Sequence, residues 1–141
     1  MKIVVGVDGS VSAGHAVDWC AAVAPALDAE IIAVHSIEIP VYSASGFGAA
    51  PVPPPSASER DAVRAMIEGE WCAPLTKASV RFRSVVADGS PAAAIIAVAQ
   101  HEDADLVVTG RRGLGGFKEL LLGSTSHELS HHLDRPLVIV P

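Results

Sequence analysis

Short apolar runs alternate with longer helical patterns along the chain, and this alternation is what most limits the fold. Five runs are predicted as strands, at residues 2–8, 31–36, 79–86, 106–109 and 137–140. Four helical stretches separate them. Strands and helices that alternate in this way favour right-handed βαβ units with helices on both faces of the sheet. The sequence therefore predicts an open, Rossmann-like α/β fold with a mainly parallel five-stranded sheet.

The first two helices are bounded by turn and capping residues. The first helix is expected to start at Val11, and Pro25 should kink it or end it early. The second follows a capping box at Ser56 or at Ser58 and ends before Pro74. Its predicted inward stripe consists of Val63, Met66, Ile67 and Trp71.

The second half of the chain has equally clear signals. The run 79–86 alternates in polarity, which is typical of a half-exposed or edge strand. Ser90 and Pro91 predict the start of an apolar helix that continues to Gln100. Thr125 and Glu128 fit a capping box for a short last helix, which should end near Leu133.

Size and charge exclude several classes of protein. With 141 residues, the chain is expected to form one domain, and its net charge of −6 argues against a nucleic-acid partner. Two cysteines are too few for a disulfide framework. This low number favours a reduced, cytoplasmic protein. No apolar stretch approaches the length of a membrane span, and the N-terminus leads directly into a strand, so neither a membrane segment nor a signal peptide is expected.

One segment departs from this regular pattern. Residues 37–57 are rich in Pro, Gly and Ala and are predicted to form a long loop within the domain. Loops of this length are commonly either functional or disordered, and the composition leaves both interpretations open.

A glycine-rich segment between the fourth strand and the last helix indicates the function. Gly110, Gly113, Gly123 and Ser124 follow the strand directly, with two residues between the first two glycines and nine before the third. Glycines let backbone N–H groups turn toward a ligand, and a helix N-terminus adds partial positive charge. The segment matches neither a Walker A loop nor the dinucleotide pattern with its third glycine. It predicts a site for a phosphorylated small molecule.

This spacing resembles the ATP-binding signature of the universal stress protein family. The first strand with its terminal Asp8, the second strand 31–36, and the segments 123–129 and 135–140 also resemble that family, so the likeness covers residues 1–141. The resemblance implies the strand order 3-2-1-4-5, in which the winding reverses between strands one and four. Ligands of open α/β sheets bind at such a point, so Asp8 and Gly110 should face one crevice.

The resemblance also implies the residues of a nucleotide site. The ligand would be ATP, with Mg²⁺ or Mn²⁺ as an accompanying ion. Asp8 would accept hydrogen bonds from the ribose or hold a phosphate-bound divalent cation, although it could instead only organise the turn into the first helix. The other implied contacts, to adenine, ribose or phosphates, are Val7, Ser36, Thr109, Gly110, Arg112, Gly113, Gly123, Ser124 and Thr125.

Five other chemically capable side chains are interpreted as structural or solvated. His35 is expected to be a packed strand histidine. His127 and His131 share a helical face on which a metal ion could bind, but no third ligand is evident, and a solvated polar face is favoured. Cys20 and Cys72 lie on apolar stripes and are predicted to fill the core, and no metal site is assigned to protein side chains alone.

The leading functional hypothesis is a small nucleotide-responsive stress or signalling module that binds ATP. An ATPase would need a base and a fixed metal beside the loop, and no convincing base is present, so at most slow hydrolysis is expected. A nucleotide-free dimeric scaffold is the third hypothesis, and the intact glycine signature argues against it. The apolar strand 137–140 would leave an open sheet edge, which predicts a homodimer formed through that strand.

Overall fold

The computed structural model describes residues 1–38, 53–115 and 121–141 and contains the predicted sheet. Its strands lie in the order β3-β2-β1-β4-β5, and each neighbouring pair is parallel. The strands are β1 (Lys2–Gly6), β2 (Glu30–Ile37), β3 (Phe82–Asp88), β4 (Leu106–Gly110) and β5 (Leu137–Val140). The predicted fold class, strand order and edge position of β3 are thus confirmed.

Helices cover both faces of this sheet. They are α1 (Val11–Leu27), α2 (Ala57–Met66), α3 (Ala73–Lys77), α4 (Pro91–His101) and α5 (Ser124–His132), with a π-helical turn at Ile67–Trp71 between α2 and α3. One core cluster joins α1 and the π-helical turn to Ile3 and Val5, and the other joins α4 and α5 to Val4. Successive side chains of a strand point to opposite faces, so β1 contributes to both clusters.

The first helix continues further than predicted. Pro25 lies in its last turn, and α1 ends only at Leu27. Asp28 then closes the helix in a left-handed conformation, with its N–H directed at the carbonyls of Ala24 and Pro25. Pro25 lacks the N–H that would bond the Ala21 carbonyl, yet the helix continues for two more residues, with Ala24 buried in the core.

The second predicted helix is divided into three segments. The capping box at Ser56 is confirmed. Ser56 Oγ accepts a hydrogen bond from Glu59 N at 3.2 Å, and Ser56 N donates one to Glu59 Oε2 at 2.7 Å. The alternative start at Ser58 is wrong. Beyond α2 the π-helical turn changes the period of the inward stripe, so Ile67 is buried while Met66 is 44% exposed, contrary to prediction.

Other boundaries differ by a few residues or by their capping group. The third strand starts at Phe82 rather than at residue 79. The predicted cap of α4 is confirmed, since Ser90 Oγ accepts a hydrogen bond from Ala93 N at 3.3 Å. The predicted capping box at Thr125 is wrong, because α5 is capped by Gly123 without a side-chain hydrogen bond. Of the predicted loop 37–57, Ile37 belongs to β2 and Ala57 to α2, and residues 39–52 lie outside the described part.

Within the described residues, no helix combines the length and hydropathy that crossing a membrane requires.

Candidate functional site

The candidate site lies at the carboxyl ends of β1 and β4, where the winding of the sheet reverses. The two strands are neighbours, with Val5 opposite Val108, and the chain leaves them through the loops that begin near Asp8 and Gly110. Two hydrogen bonds join the glycine loop to the start of α1: Arg112 N donates to Ser12 Oγ at 3.2 Å, and the N-cap Ser10 Oγ donates to Arg112 O at 3.5 Å. Asp8 and the glycine loop therefore lie next to each other at this edge of the sheet, as the sequence predicted.

The carboxylate of Asp8 faces both its own turn and the glycine loop. Its Oδ1 accepts from Ser10 N at 2.9 Å, which organises the turn into α1. Its Oδ2 lies against Gly113, since a methyl group on that glycine would lie only 2.7 Å from this oxygen. One carboxylate oxygen thus has a structural partner within its turn, and the other lies at the glycine loop.

Gly110 is the point of closest approach between this loop and α1. The residue is buried at the end of β4, and a Cβ there would lie 2.5 Å from the carbonyl carbon of Ser12 and 2.6 Å from its oxygen. Such distances are far below van der Waals contact, so only glycine fits. The neighbouring Arg111 N donates to Val140 O at 2.7 Å, which fixes the start of the loop to β5.

The far end of the loop returns to its beginning at Gly123. Gly123 N donates to Arg111 O at 2.8 Å, so the two ends of the segment close on each other. The buried hydroxyl of Ser126 reinforces this closure by donating to Arg111 O at 2.8 Å and to Gly123 O at 3.1 Å. Ser126 was not predicted as part of the site, and the only signal for it is its position three residues after the glycine that caps α5.

The N-terminal end of α5 lies beside the glycine loop, since a Cβ on Gly123 would lie 3.1 Å from Arg112 Cα and 3.6 Å from Gly113 N. Ser124 is the first residue of the helix and is exposed, and Thr125 follows it half-buried. The first N–H groups of a helix have no intrahelical acceptor and carry partial positive charge, which favours an anion. Residues 116–120, in the middle of the glycine loop, lie outside the described part of the chain.

Strands β1, β2 and β4 contribute the remaining predicted residues. Val7 is buried, and its carbonyl oxygen accepts a hydrogen bond from His35 Nδ1 at 2.8 Å. This contact confirms His35 as a packed strand histidine. Ser36 lies one strand further away, where its hydroxyl donates to Gly89 O at 2.5 Å. Thr109 is buried, and its hydroxyl donates to Gly110 O at 3.3 Å.

A tryptophan that the sequence assigned only to the core also supports the β1–α1 turn. Trp71 stands edge-on to His35 at a centroid distance of 5.1 Å, and a Cβ on Gly9 would lie 2.9 Å from its indole ring. The π-helical turn that carries Trp71 has no recognisable sequence signal. Its packing helps to hold the chain segment that presents Asp8.

Neither cysteine offers a reactive thiol to this site. Cys20 and Cys72 are fully buried in the core beneath α1, as predicted. Burial raises the pKa of Cys20 to about 12, with a smaller contribution from Cys72, and it raises the pKa of Cys72 to about 12, with a smaller contribution from Glu68. Because the thiolate is the nucleophile, both side chains are chemically inert at neutral pH.

Comparison with known proteins agrees with this architecture. A model of the universal stress protein family matches residues 1–141. Universal stress protein YxiE from Bacillus subtilis is 31% identical over 147 residues, covering 99% of this chain and 97% of that protein. Universal stress protein UspA from Lactobacillus plantarum has the same fold, with a TM-score of 0.77, 18% identity and coverage of 100% and 97% of the two chains.

Solved relatives have been described with adenine nucleotides. A universal stress protein in complex with cAMP superimposes with a TM-score of 0.73 and 25% identity, covering 100% of this chain and 96% of that one. Two more distant structures contain dAMP and AMP, with TM-scores of 0.69 and 0.66. Since the family match spans residues 1–141 and the B. subtilis relative aligns over nearly its whole length, the chain belongs to the universal stress protein family.

Proposed function

We propose that residues 1–141 act as one nucleotide-binding domain that takes ATP into the crevice between β1 and β4 and serves as a nucleotide-responsive stress or signalling module in the cytoplasm. The observation that carries this proposal is the placement of Asp8 Oδ2 against Gly113, beside the N-terminal end of α5. A carboxylate and a helix N-terminus at one crevice suit the two ends of a nucleotide, a hydroxylated sugar and an anionic phosphate tail. The cAMP, dAMP and AMP complexes of relatives support an adenine nucleotide as the ligand class.

The residues present fit such a ligand. Ser124 and Thr125 would bind the phosphates through N–H and hydroxyl donors at the helix start that Gly123 caps, with Arg112 adding positive charge. The N–H of Gly123 itself donates to Arg111 O at 2.8 Å, so Gly123 would shape this end of the site without donating to the ligand. Asp8 Oδ2 would accept a ribose hydroxyl or hold a Mg²⁺ or Mn²⁺ ion bound to the phosphates.

The strand ends would form the rest of the site. Gly110 and Gly113 let the loop pack against Ser12 and Asp8, where a Cβ would clash, and so hold the loop at the ligand site. Thr109 lies one residue before Gly110, the last residue of β4. Main-chain groups near Val7 and Ser36 would border the adenine.

Nucleotide carried through purification offers a first test. We expect protein that is purified without added nucleotide and then denatured to release an adenine nucleotide, identified by chromatography. If no nucleotide is released and ATP added to the protein gives no binding heat, the scaffold hypothesis would be favoured instead.

Substitution of Ser124 tests the phosphate end of the site. Ser124→Ala removes a hydrogen bond to a charged group worth roughly 1.5–3 kcal/mol, so ATP affinity should fall by about ten- to a hundredfold. Ser130→Ala is a matched control, because Ser130 is an exposed serine of the same helix whose hydroxyl donates to His127 O at 2.6 Å. Calorimetric titration of both variants with ATP measures the difference, and equal affinities would remove Ser124 from the site.

The free edge of β5 supports self-association. Strand β5 lies at the end of the sheet with half-buried side chains. The carbonyls of Pro136 and Val140 accept hydrogen bonds from Val107 N and Arg111 N, so these even-numbered residues face β4. Main-chain groups alternate in direction along a strand, so the N–H and carbonyl of the odd-numbered Ile139 face the open edge. We propose a homodimer formed through this edge.

Light scattering can test the dimer. We expect twice the chain mass at micromolar concentration for the wild type and the monomer mass for Ile139→Pro, which removes one outward N–H without removing a bond to β4. Circular dichroism controls for folding of the variant. A wild-type protein that stays monomeric would contradict the proposal.

A further inference from the structure

Two histidines form a pair on the exposed face of α5. His127 and His131 are four residues apart, which places them one turn apart on the same face of the helix. Both side chains are exposed, and their ring centroids are 4.6 Å apart with an interplanar angle of 69°. The rings therefore already lie within the distance at which one ion can contact both.

We propose that His127 and His131 form a binding site for a divalent transition-metal ion of the zinc, nickel or copper class. Imidazole nitrogen is a preferred ligand of these ions and a poor one for Mg²⁺ or Ca²⁺, which select oxygen. In the described parts of the chain, no group of three or more His, Cys, Asp or Glu side chains is placed to hold a metal. The site is thus an open one, in which two imidazoles chelate the ion and water completes its coordination.

The helix holds the pair in a fixed orientation. Leu129 lies between the two histidines in sequence, is fully buried, and anchors the opposite face of α5 in the core beside α4. His127 N donates to Gly123 O at 2.9 Å, and Leu133 N donates to Leu129 O at 3.0 Å, so the backbone is hydrogen-bonded on both sides of the pair. A chelate on such a backbone needs only rotation of two side chains, which lowers its entropic cost.

The neighbouring His132 provides an internal comparison. It follows His131 directly and is also exposed, but its ring centroid is 6.5 Å from that of His131 and it does not share the one-turn spacing. Residues one apart on a helix do not face each other. An ion held by His127 and His131 should therefore be insensitive to the loss of His132.

Calorimetric titration with NiCl₂ tests the site in protein that carries no affinity tag. The wild type should bind one Ni²⁺ ion at this site. His127→Asn and His131→Asn should each weaken Ni²⁺ binding by at least about tenfold. Loss of a residue that only hydrogen-bonds to a metal ligand already lowers metal affinity by that factor, and here a ligand itself is lost. His132→Asn should match the wild type, and MgCl₂ should give no comparable binding.

The folding of the variants is not at risk, since the three side chains are exposed, and circular dichroism verifies it. Absence of Ni²⁺ binding by the wild type would overturn the proposal. Unchanged affinity in His131→Asn, or an equal loss in His132→Asn, would also overturn it. The test needs no nucleotide, so its result is independent of the proposed ATP site.

Discussion

We expect Gly113→Ala to weaken ATP binding by about a hundredfold, equivalent to ~3 kcal/mol, as if two hydrogen bonds to charged groups were lost. The added methyl would lie 2.7 Å from Asp8 Oδ2, a distance that side-chain carbons essentially never show. Either the carboxylate must rotate out of the crevice or the loop must move away from it. Both responses separate the two halves of the site, while the exposed position of Gly113 leaves the core intact.

Gly115→Ala is the matched control for this prediction. It makes the same chemical change two residues further along the loop, where no heavy atom of the described residues lies within 4 Å of an added Cβ. If loop stiffness alone governed affinity, both variants would lose it to a similar extent. If the contact with Asp8 governs ATP affinity, only Gly113→Ala will weaken binding. Calorimetric titration of both variants with ATP separates the two cases.

The second large effect concerns stability. Gly110→Ala should lower the free energy of unfolding by about 3 kcal/mol, at the upper end of the usual cost of overpacking. The methyl would meet the carbonyl carbon and oxygen of Ser12 at 2.5 and 2.6 Å, and these are main-chain atoms that cannot rotate away. Relief requires α1 to move from β4, which would strain the bonds from Ser12 Oγ to Val140 O and from Arg112 N to Ser12 Oγ.

Gly14→Ala serves as the control of opposite sign. Gly14 lies inside α1, and among the residues that the structure describes no neighbouring heavy atom lies within 4 Å of an added Cβ. Alanine there should therefore stabilise the protein by roughly 0.5–1 kcal/mol. Urea unfolding of the two variants and the wild type measures both changes. A Gly110→Ala protein as stable as the wild type would show that the loop does not pack on α1 as described.

The parts of the fold that follow from local pattern could be predicted from the sequence. Continuous apolar runs such as 31–36 and 106–109 identified the buried strands, and the Ser90–Pro91 pair identified the start of α4, because each signal depends on neighbouring residues. The glycine spacing, together with the family resemblance, predicted that the loop after β4 would meet Asp8.

The features that were missed depend on contacts between distant residues. The π-helical turn that directs Trp71 at Gly9 is set by packing across the face of α1, and no local residue pattern marks it. At α5 the sequence favoured a capping box at Thr125, but the hydrogen bond from Gly123 N to Arg111 O fixes how the chain enters the helix. Long-range hydrogen bonding thus decided the local boundary.

The central claim, that the crevice between β1 and β4 binds a nucleotide, is tested most directly by titrating ATP into nucleotide-free wild-type protein in a calorimeter. The structure predicts saturable binding of one ATP per chain, retained in Gly115→Ala and weakened by about a hundredfold in Gly113→Ala. Absence of binding heat in the wild type, or equal affinity in the two glycine variants, would contradict it.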